Sequence, residues 1–239
     1  MSEPFLSIVI PAHNEERRLP QTLEDVVRFV KKQSFEIEVI IVENASRDNT
    51  LQTAQDFAAQ HSMIRVIHEE LPGKGRAVRR GMLAATGRYR FFADADFSMP
   101  VEEIRRFLPP VVDAPIVIAS REAPGAIRYD EPTYRHITGR IFNSLIRLLV
   151  LPNLNDTQCG FKMFRADAAE VLFPRQTLMG WSFDVELLYI ARRRGYPIIE
   201  IGVPWYFNPE SKVNVLRDSW RMFMDLLFIR RNGRLGIYD

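Results

Sequence analysis

The chain of 239 residues carries a single cysteine, Cys159. It can form no internal disulfide, which excludes a small secreted disulfide scaffold and makes a reducing compartment the expected setting. Glycine is sparse at 12 residues, so collagen-like and low-complexity architectures are excluded. Charge of one sign is also lacking. Lysine and arginine number 32 against 30 aspartates and glutamates, and the formal charge of +2 excludes a grossly polybasic nucleic-acid binder while leaving local patches open. The four histidines show no metal-ligand spacing. No apolar run approaches the roughly 20 residues that span a bilayer. Met1 to Pro11 has neither a basic start nor a signal-like apolar core. The expected protein does not cross a membrane, although it can lie on one.

What is present is ordinary soluble composition, 46% hydrophobic and 26% charged, in a chain long enough to bury a full core as one domain. Strand-like and helix-like patterns alternate through the first half. Strands are expected at Phe5–Ile10, Ile37–Val42, Met63–His68, Tyr89–Ala93 and Ile116–Ser120. Helices are expected at Pro20–Lys32, Asp48–Gln60 and Lys74–Thr86. This order predicts an α/β fold with a mostly parallel sheet flanked by helices, whose ligand site lies outside the carboxyl ends of the strands. His13, Asn14 and Glu15 follow the first strand, Glu43 and Asn44 end the second, and Asp94 and Asp96 end the fourth. The second half reads as a helix at Tyr134–Leu151, a turn into a strand at Asp156–Lys162, a helix at Phe183–Arg194, a strand at Ile198–Val203 and a long amphipathic helix at Val213–Arg231.

Asp94-Ala95-Asp96 is the sharpest chemical feature. Carboxylates at i and i+2 on a strand end can point the same way, and unpaired they would repel and raise one pKa. A divalent cation relieves that repulsion, and Mg²⁺ is typically held by one or two carboxylates plus substrate phosphates. A turn with two solvated aspartates is the alternative. Cys159 reads as a small buried residue, because no histidine lies near it in sequence to activate it.

Several stretches carry a family likeness. They are Ser7-Ile-Val-Ile-Pro-Ala-His-Asn-Glu15, Val42-Glu-Asn-Ala-Ser-Arg-Asp-Asn-Thr50, Gly73-Lys-Gly-Arg-Ala-Val-Arg79 and Phe92-Ala-Asp-Ala-Asp96. Asp156-Thr-Gln-Cys-Gly-Phe-Lys162, Phe183-Asp-Val-Glu-Leu187 and Ser211-Lys212 follow. Together they resemble family 2 glycosyltransferases of the GT-A fold, in particular the polyprenyl-phosphate (dolichyl-phosphate) sugar synthases. The resemblance runs from Ser7 to about Arg231. It implies that Pro11, His13 and Glu15 lie along a nucleotide's base and ribose, with Glu43 and Asn44 at the base edge. The usual pair there is Asp-Asp, so Glu43-Asn44 is a departure. It further implies Lys74 at the diphosphate or a base carbonyl, Asp94 at sugar or ribose, and Asp94 and Asp96 around Mg²⁺ or Mn²⁺.

The acceptor side can be reasoned from chemistry. A phosphate monoester is largely dianionic at neutral pH and needs no general base; it needs cationic positioning in line with the departing nucleotide. Arginine suits that task. The resemblance places Arg121 and Arg135 there, with Arg140 on the same segment behind Gly139, where the family usually has serine. It also implies Gln158 at sugar hydroxyls and Lys212 closing on the diphosphate, while Asp156 could orient Lys162 or an acceptor arginine. A sugar-hydroxyl acceptor would instead need a carboxylate base, for which Asp184 is the candidate. Glu186 cannot share its helical face, and one of the two is expected to cap or to pair with Arg192–Arg194.

The expectation is one domain over 1–239, with a nucleotide-sugar half at about 1–120 and an acceptor half at about 121–239. It would invert the anomeric centre while moving a hexose from a nucleotide donor to a polyprenyl phosphate, with UDP-glucose favoured and GDP-mannose second. The alternatives are a family 2 transferase to a sugar hydroxyl and a non-catalytic sugar-nucleotide binder. The amphipathic helices predict peripheral contact with the cytoplasmic face of a membrane, or else stripes packed on the protein's own core.

Overall fold

The computed structural model describes residues 3–208 and 215–239. Strands β1 (Leu6–Ala12), β2 (Ile37–Asn44), β3 (Ile64–Glu69), β4 (Tyr89–Ala93) and β5 (Ile116–Ser120) come from the first half, and β7 (Phe161–Arg165) and β8 (Ile198–Gly202) from the second. They form one seven-stranded sheet in the order β3-β2-β1-β4-β7-β5-β8, so both halves share it. Every pairing is parallel except those of β7, which runs antiparallel between β4 and β5. The start of β7 therefore lies at the same edge as the ends of β4 and β5. A small second sheet pairs β6 (Ile127–Tyr129) with β9 (Pro204–Tyr206) in parallel, with Tyr129 and Tyr206 stacked at 4.5 Å.

The strands of a two-sided sheet are apolar on both faces. Ile8, Ile10 and Phe91 pack towards α1 (Leu19–Lys31) with Leu23 and Val26, joined by Phe107 and Phe161. Val9, Ile40 and Phe92 pack the other way, with Ala77 and Val78 of α3 (Lys74–Ala84), Leu172 of α5 (Ala166–Leu172) and Phe183 of α6 (Phe183–Arg193). Helix α2 (Thr50–Gln60) buries only Thr50 and Ala54 fully. The expected elements are present with ends moved by a few residues. Missing from the sequence reading were β6, β9, α5 and a 3-10 segment at Val101–Phe107, all short and without a clear period.

Helices α4 (Thr133–Leu149) and α7 (Val215–Arg234) pack against each other and depart from the sequence reading in an instructive way. The stripe read on α4 faces outward: Ile137, Ile141 and Leu148 are exposed, and Ile146 is the one fully buried residue of the helix. On α7 the core is met by Met222, Leu226 and Ile229, while Trp220, Met224, Leu227 and Phe228 are exposed. The reading that these stripes simply cover the protein's own core is thereby corrected. Each helix has apolar surface left over after its core contact is made.

Candidate active site

Parallel strands β1, β2 and β4 end at one edge, where Ala12 pairs with Glu43 and Asp94 follows Ala93. The chain crosses from one side of β1 to the other between β3 and β4, which puts this edge at a topological switch point. Asp94 is fixed from behind by Gly160. The Asp94 amide donates to the Gly160 carbonyl at 2.9 Å, and a Cβ on residue 160 would lie 1.9 Å from the Asp94 carboxylate. Only glycine allows that approach.

Lys74, the first residue of α3, reaches both Asp94 oxygens at 2.7 Å and lies over the Trp181 ring at 5.3 Å. Burial disfavours its ammonium, but Asp94, Asp184 and Asp96 outweigh that and raise its pKa. Asp96 is the counterpart. Burial and then the neighbouring Asp94 raise its pKa, and the Ser98 amide, Lys74 and Arg18 only partly oppose them. Asp184, in the first turn of α6, bonds the Lys162 ammonium at 2.8 Å. Lys162 also donates to the Cys159 carbonyl and lies over the Phe92 ring at 5.2 Å. Burial raises the Asp184 pKa despite both lysines.

The residues expected beside a nucleoside form an interlocked wall. The Glu15 amide donates to Thr50 Oγ1 at 2.7 Å, and its carboxylate accepts from Arg18 Nε at 2.7 Å. His13 Nδ1 lies 2.5 Å from the Asn44 carbonyl, and Pro11 pairs with Val42 in the β1–β2 register. Glu43 and Asn44 are buried. Glu43 accepts from the Ser46 amide and contacts His68, while Asn44 donates to the Leu71 carbonyl at 2.6 Å and accepts from the Gly73 amide at 2.8 Å. Asn44 thus pins the turn that launches Lys74. Gly73 occupies that turn at φ 143°, a conformation that favours glycine.

The arginine side is built on Asp156, which is 0% exposed. Arg121 Nε and Nη2 donate to its two oxygens at 2.6 and 3.0 Å, a bidentate pair, and the Arg121 amide donates to Oδ2 at 3.0 Å. Burial opposes ionisation of Asp156, yet Arg121 and backbone amides win and hold its pKa down at about 2. Of the two partners expected for Asp156, it takes the arginine and leaves Lys162 to Asp184. Arg121 also lies over the Trp205 ring at 5.5 Å, with Arg128 at 5.9 Å from the same ring. Arg128 is itself paired to Glu122 and Glu131 at 2.6 Å each. Arg135 lies over Phe207 at 5.3 Å, and Phe207 is 6.1 Å from Trp205. The aromatics of β9 and the residue after it therefore gather Arg121, Arg128 and Arg135. Arg140 lies further along α4, exposed and without an ion pair among the described residues. Gln158 is half-buried beside Asp156, to which its amide donates at 3.2 Å. Lys212 and Ser211 lie outside the described residues.

One short segment ties the two sides together. From Asp156 to Lys162 it holds Arg121, backs Asp94 through Gly160 and ion-pairs Asp184. Cys159 in its middle is buried, and burial and then Asp156 push its thiol up to about 12, which suits an inert residue. Sequence reasoning missed Trp205, Phe207, Arg128 and Gly160. For Trp205 and Phe207 the signal was present in the aromatic run Trp205-Tyr206-Phe207. Capping, or pairing with Arg192–Arg194, is the expectation for one of Asp184 and Glu186, and Glu186 makes no such ion pair among the described residues. It instead accepts from Thr177, Leu178 and Tyr238, because its side of α6 faces the segment before that helix.

The residues present fit a divalent cation of the Mg²⁺ kind. Asp94, Asp96 and Asp184 confront two ammonium groups, Lys74 and Lys162. Among the described residues no group of three or more His, Cys, Asp or Glu converges on a point. Two carboxylates would hold such an ion only with oxygens from a ligand, the usual arrangement for Mg²⁺ beside phosphates.

This sheet with its acidic strand ends defines a sugar-nucleotide transferase, and the chain belongs to glycosyl transferase family 2, whose sequence model matches residues 7–173. Similar relatives include the dolichyl-phosphate beta-glucosyltransferase of Homo sapiens, 34% identical over 98% of this chain and 77% of the relative. The Saccharomyces cerevisiae enzyme of that name is 33% identical over 99% and 77%, and the Drosophila melanogaster one 35% over 94% and 74%. Among solved structures, glucosyl-3-phosphoglycerate synthase from Mycobacterium tuberculosis in complex with Mn²⁺, UDP-glucose and phosphoglyceric acid superposes with a TM-score of 0.66. It covers 99% of this chain and 81% of that one at 19% identity. The same synthase with phosphoglyceric acid reaches a TM-score of 0.69 at 20% identity, with the same coverage. At these identities the likeness is one of fold, and it agrees with the GT-A class expected from the sequence.

Proposed function

We propose that the protein transfers glucose from UDP-glucose to a polyprenyl phosphate of the dolichyl type, with inversion at the anomeric carbon. The relatives' activity supports the reading. The observation that carries it is the Asp156–Lys162 segment, which organises an acidic donor edge and an arginine cluster at once. One acceptor phosphate oxygen attacks C1, the bond from C1 to the donor diphosphate breaks, and the nucleoside diphosphate leaves with the electron pair. The attacking oxygen is already anionic, so no base is required. Arg121, with Arg135 beside it, binds and orients the phosphate; the bidentate grip of Asp156 and the Trp205 face hold the Arg121 guanidinium still. Lys74 faces the diphosphate, and Pro11, His13, Glu15, Glu43 and Asn44 line the nucleoside. Mg²⁺ or Mn²⁺, held by Asp94 and Asp96 together with diphosphate oxygens, would supply neutralisation of the leaving group. Asp184, buried and bonded to Lys162, holds that lysine in place rather than serving as a base.

The exposed apolar residues of α4 and α7, with Arg140, Arg147 and Arg231 among them, fit the headgroup region of a membrane where a lipid phosphate resides. No helix among the described residues is long and apolar enough to cross a membrane. A peripheral position on the cytoplasmic face of a membrane is part of the proposal, and a single free thiol is compatible with that setting. One domain over 1–239 with a donor and an acceptor half completes it.

The test is transfer from radiolabelled UDP-glucose, GDP-mannose and UDP-N-acetylglucosamine to farnesyl phosphate, with and without EDTA. Label in lipid product from UDP-glucose alone, lost on chelation, is expected. Transfer from GDP-mannose in its place would correct the donor, and nucleotide binding without turnover would remove the catalytic reading.

A further inference from the structure

Glu186 is 0% exposed, and among the described residues it makes no ion pair. Its carboxylate is instead surrounded by donors. Oε2 accepts from the amides of Thr177 and Leu178 at 2.9 and 2.8 Å, and Oε1 from the Thr177 hydroxyl and from the Tyr238 hydroxyl at 2.7 Å. A buried carboxylate is tolerable only with such donors, and each is charge-assisted. Tyr238 is also fully buried and receives a bond from Asn232 of α7 at 3.3 Å.

The segment that Glu186 holds runs from Gln176 to Ser182, and it packs on the turn that carries Lys74. Gln176 Nε2 donates to the carbonyls of Gly75 and Leu178 at 2.9 and 2.8 Å. The Arg76 amide donates to the Met179 carbonyl at 3.3 Å. A Cβ at residue 75 would lie 2.6 Å from Phe183 Cβ and 2.9 Å from the Leu178 carbonyl, so the turn and segment are in van der Waals contact. At its far end Trp181 supplies the ring beneath the Lys74 ammonium, and Ser182 donates to Asp225 of α7 at 2.6 Å.

We infer that Glu186 is a positioning residue for the donor site: clamped by Tyr238, it seats the Gln176–Ser182 segment and thereby sets where the Lys74 ammonium points. The inference rests on the proposed role of Lys74 at the donor diphosphate. Glutamine at 186 keeps the shape but brings an NH₂ group against either two amide donors or two hydroxyls, so the clamp loses acceptors it cannot replace.

The experiment is a double-mutant cycle between Lys74→Met and Glu186→Gln in the full chain, with donor and acceptor KM measured for UDP-glucose and farnesyl phosphate and UDP affinity measured by calorimetry. Glu186→Gln should raise donor KM and weaken UDP binding about tenfold, and leave acceptor KM within about twofold. Added to Lys74→Met it should do little more, since both act through one ammonium. Tyr238→Phe, which keeps the ring, should move the same quantities about threefold. It replaces Glu186→Gln in the cycle should that variant fail to fold. Unchanged donor KM, equal losses on both substrates, or losses that multiply with Lys74→Met would overturn the inference. If Lys74→Met itself leaves donor KM and UDP affinity untouched, the donor-site reading fails first and the inference falls with it.

Discussion

The donor edge and the arginine side solve opposite problems. At the donor edge, ionised groups are packed close, buried or half-buried, and paired within the protein: Lys74 with Asp94, Lys162 with Asp184, Arg18 with Glu15. On α4, Arg140 and Arg147 are exposed and without ion pairs among the described residues, amid exposed Ile137, Ile141 and Leu148. Arg121 stands between these regimes, anchored on the sheet yet gathered with the arginines near α4. A reacting sugar diphosphate demands fixed dipoles and charges, because preorganisation is what lowers the barrier. A long amphiphile demands a surface that can receive it. Under the proposed function, the acceptor half keeps one rigid contact and leaves the rest to accessible helix.

Substitutions at the two sides and a change of pH would break or sharpen that contrast. Asp96→Asn removes a charge from the rigid edge and should lower kcat on the order of a thousandfold with folding intact, read from single-turnover rates. Arg121→Ala strikes the rigid contact of the acceptor side. It should cost about a hundredfold in kcat/KM for the lipid phosphate and, because Asp156 is left buried without its partner, about 3 kcal/mol in urea denaturation. Arg121→Lys should recover only part of either, lacking the fork.

The pH dependence of stability sharpens the same point. The Asp156 pKa is lowered from 3.8 to about 2 in the folded chain. The stabilisation is complete above the unfolded value and is lost as pH falls from about 4 towards about 2, an amount near 2 kcal/mol. Denaturant midpoints in Asp156→Asn should therefore fall less steeply across that window. On the accessible helix the effects should be smaller still. Arg135→Ala should raise acceptor KM about tenfold and Arg140→Ala about twofold, the latter with an unchanged urea midpoint, as expected of an exposed charge.

Much of this was legible in the sequence. The alternation of β-branched runs with helical stripes placed β1 to β5, and the strand-end rule brought Glu15, Glu43, Asn44, Asp94 and Asp96 to one edge. What escaped depends on contacts across long separations. Nothing local to Gly160 announces that it must clear Asp94, and nothing near Glu186 announces Tyr238, 52 residues away. Strands β6 and β9 have three residues each, too short for a period to register, although their aromatics gather the arginines. On α4 the periodicity was right, and of the two directions left open by it the outward one is found for Ile137, Ile141 and Leu148. An apolar stripe marks a face without saying whether protein or lipid covers it.

The central claim is that guanidinium groups deliver an anionic phosphate oxygen to the sugar without a base. Incubation of the protein with UDP-glucose and either farnesyl phosphate or farnesol, with products resolved by proton NMR, tests it most directly. A β-linked glucosyl phosphate from the first and no product from the second is the predicted result. Glucosylation of the alcohol, abolished by Asp184→Asn, would contradict it.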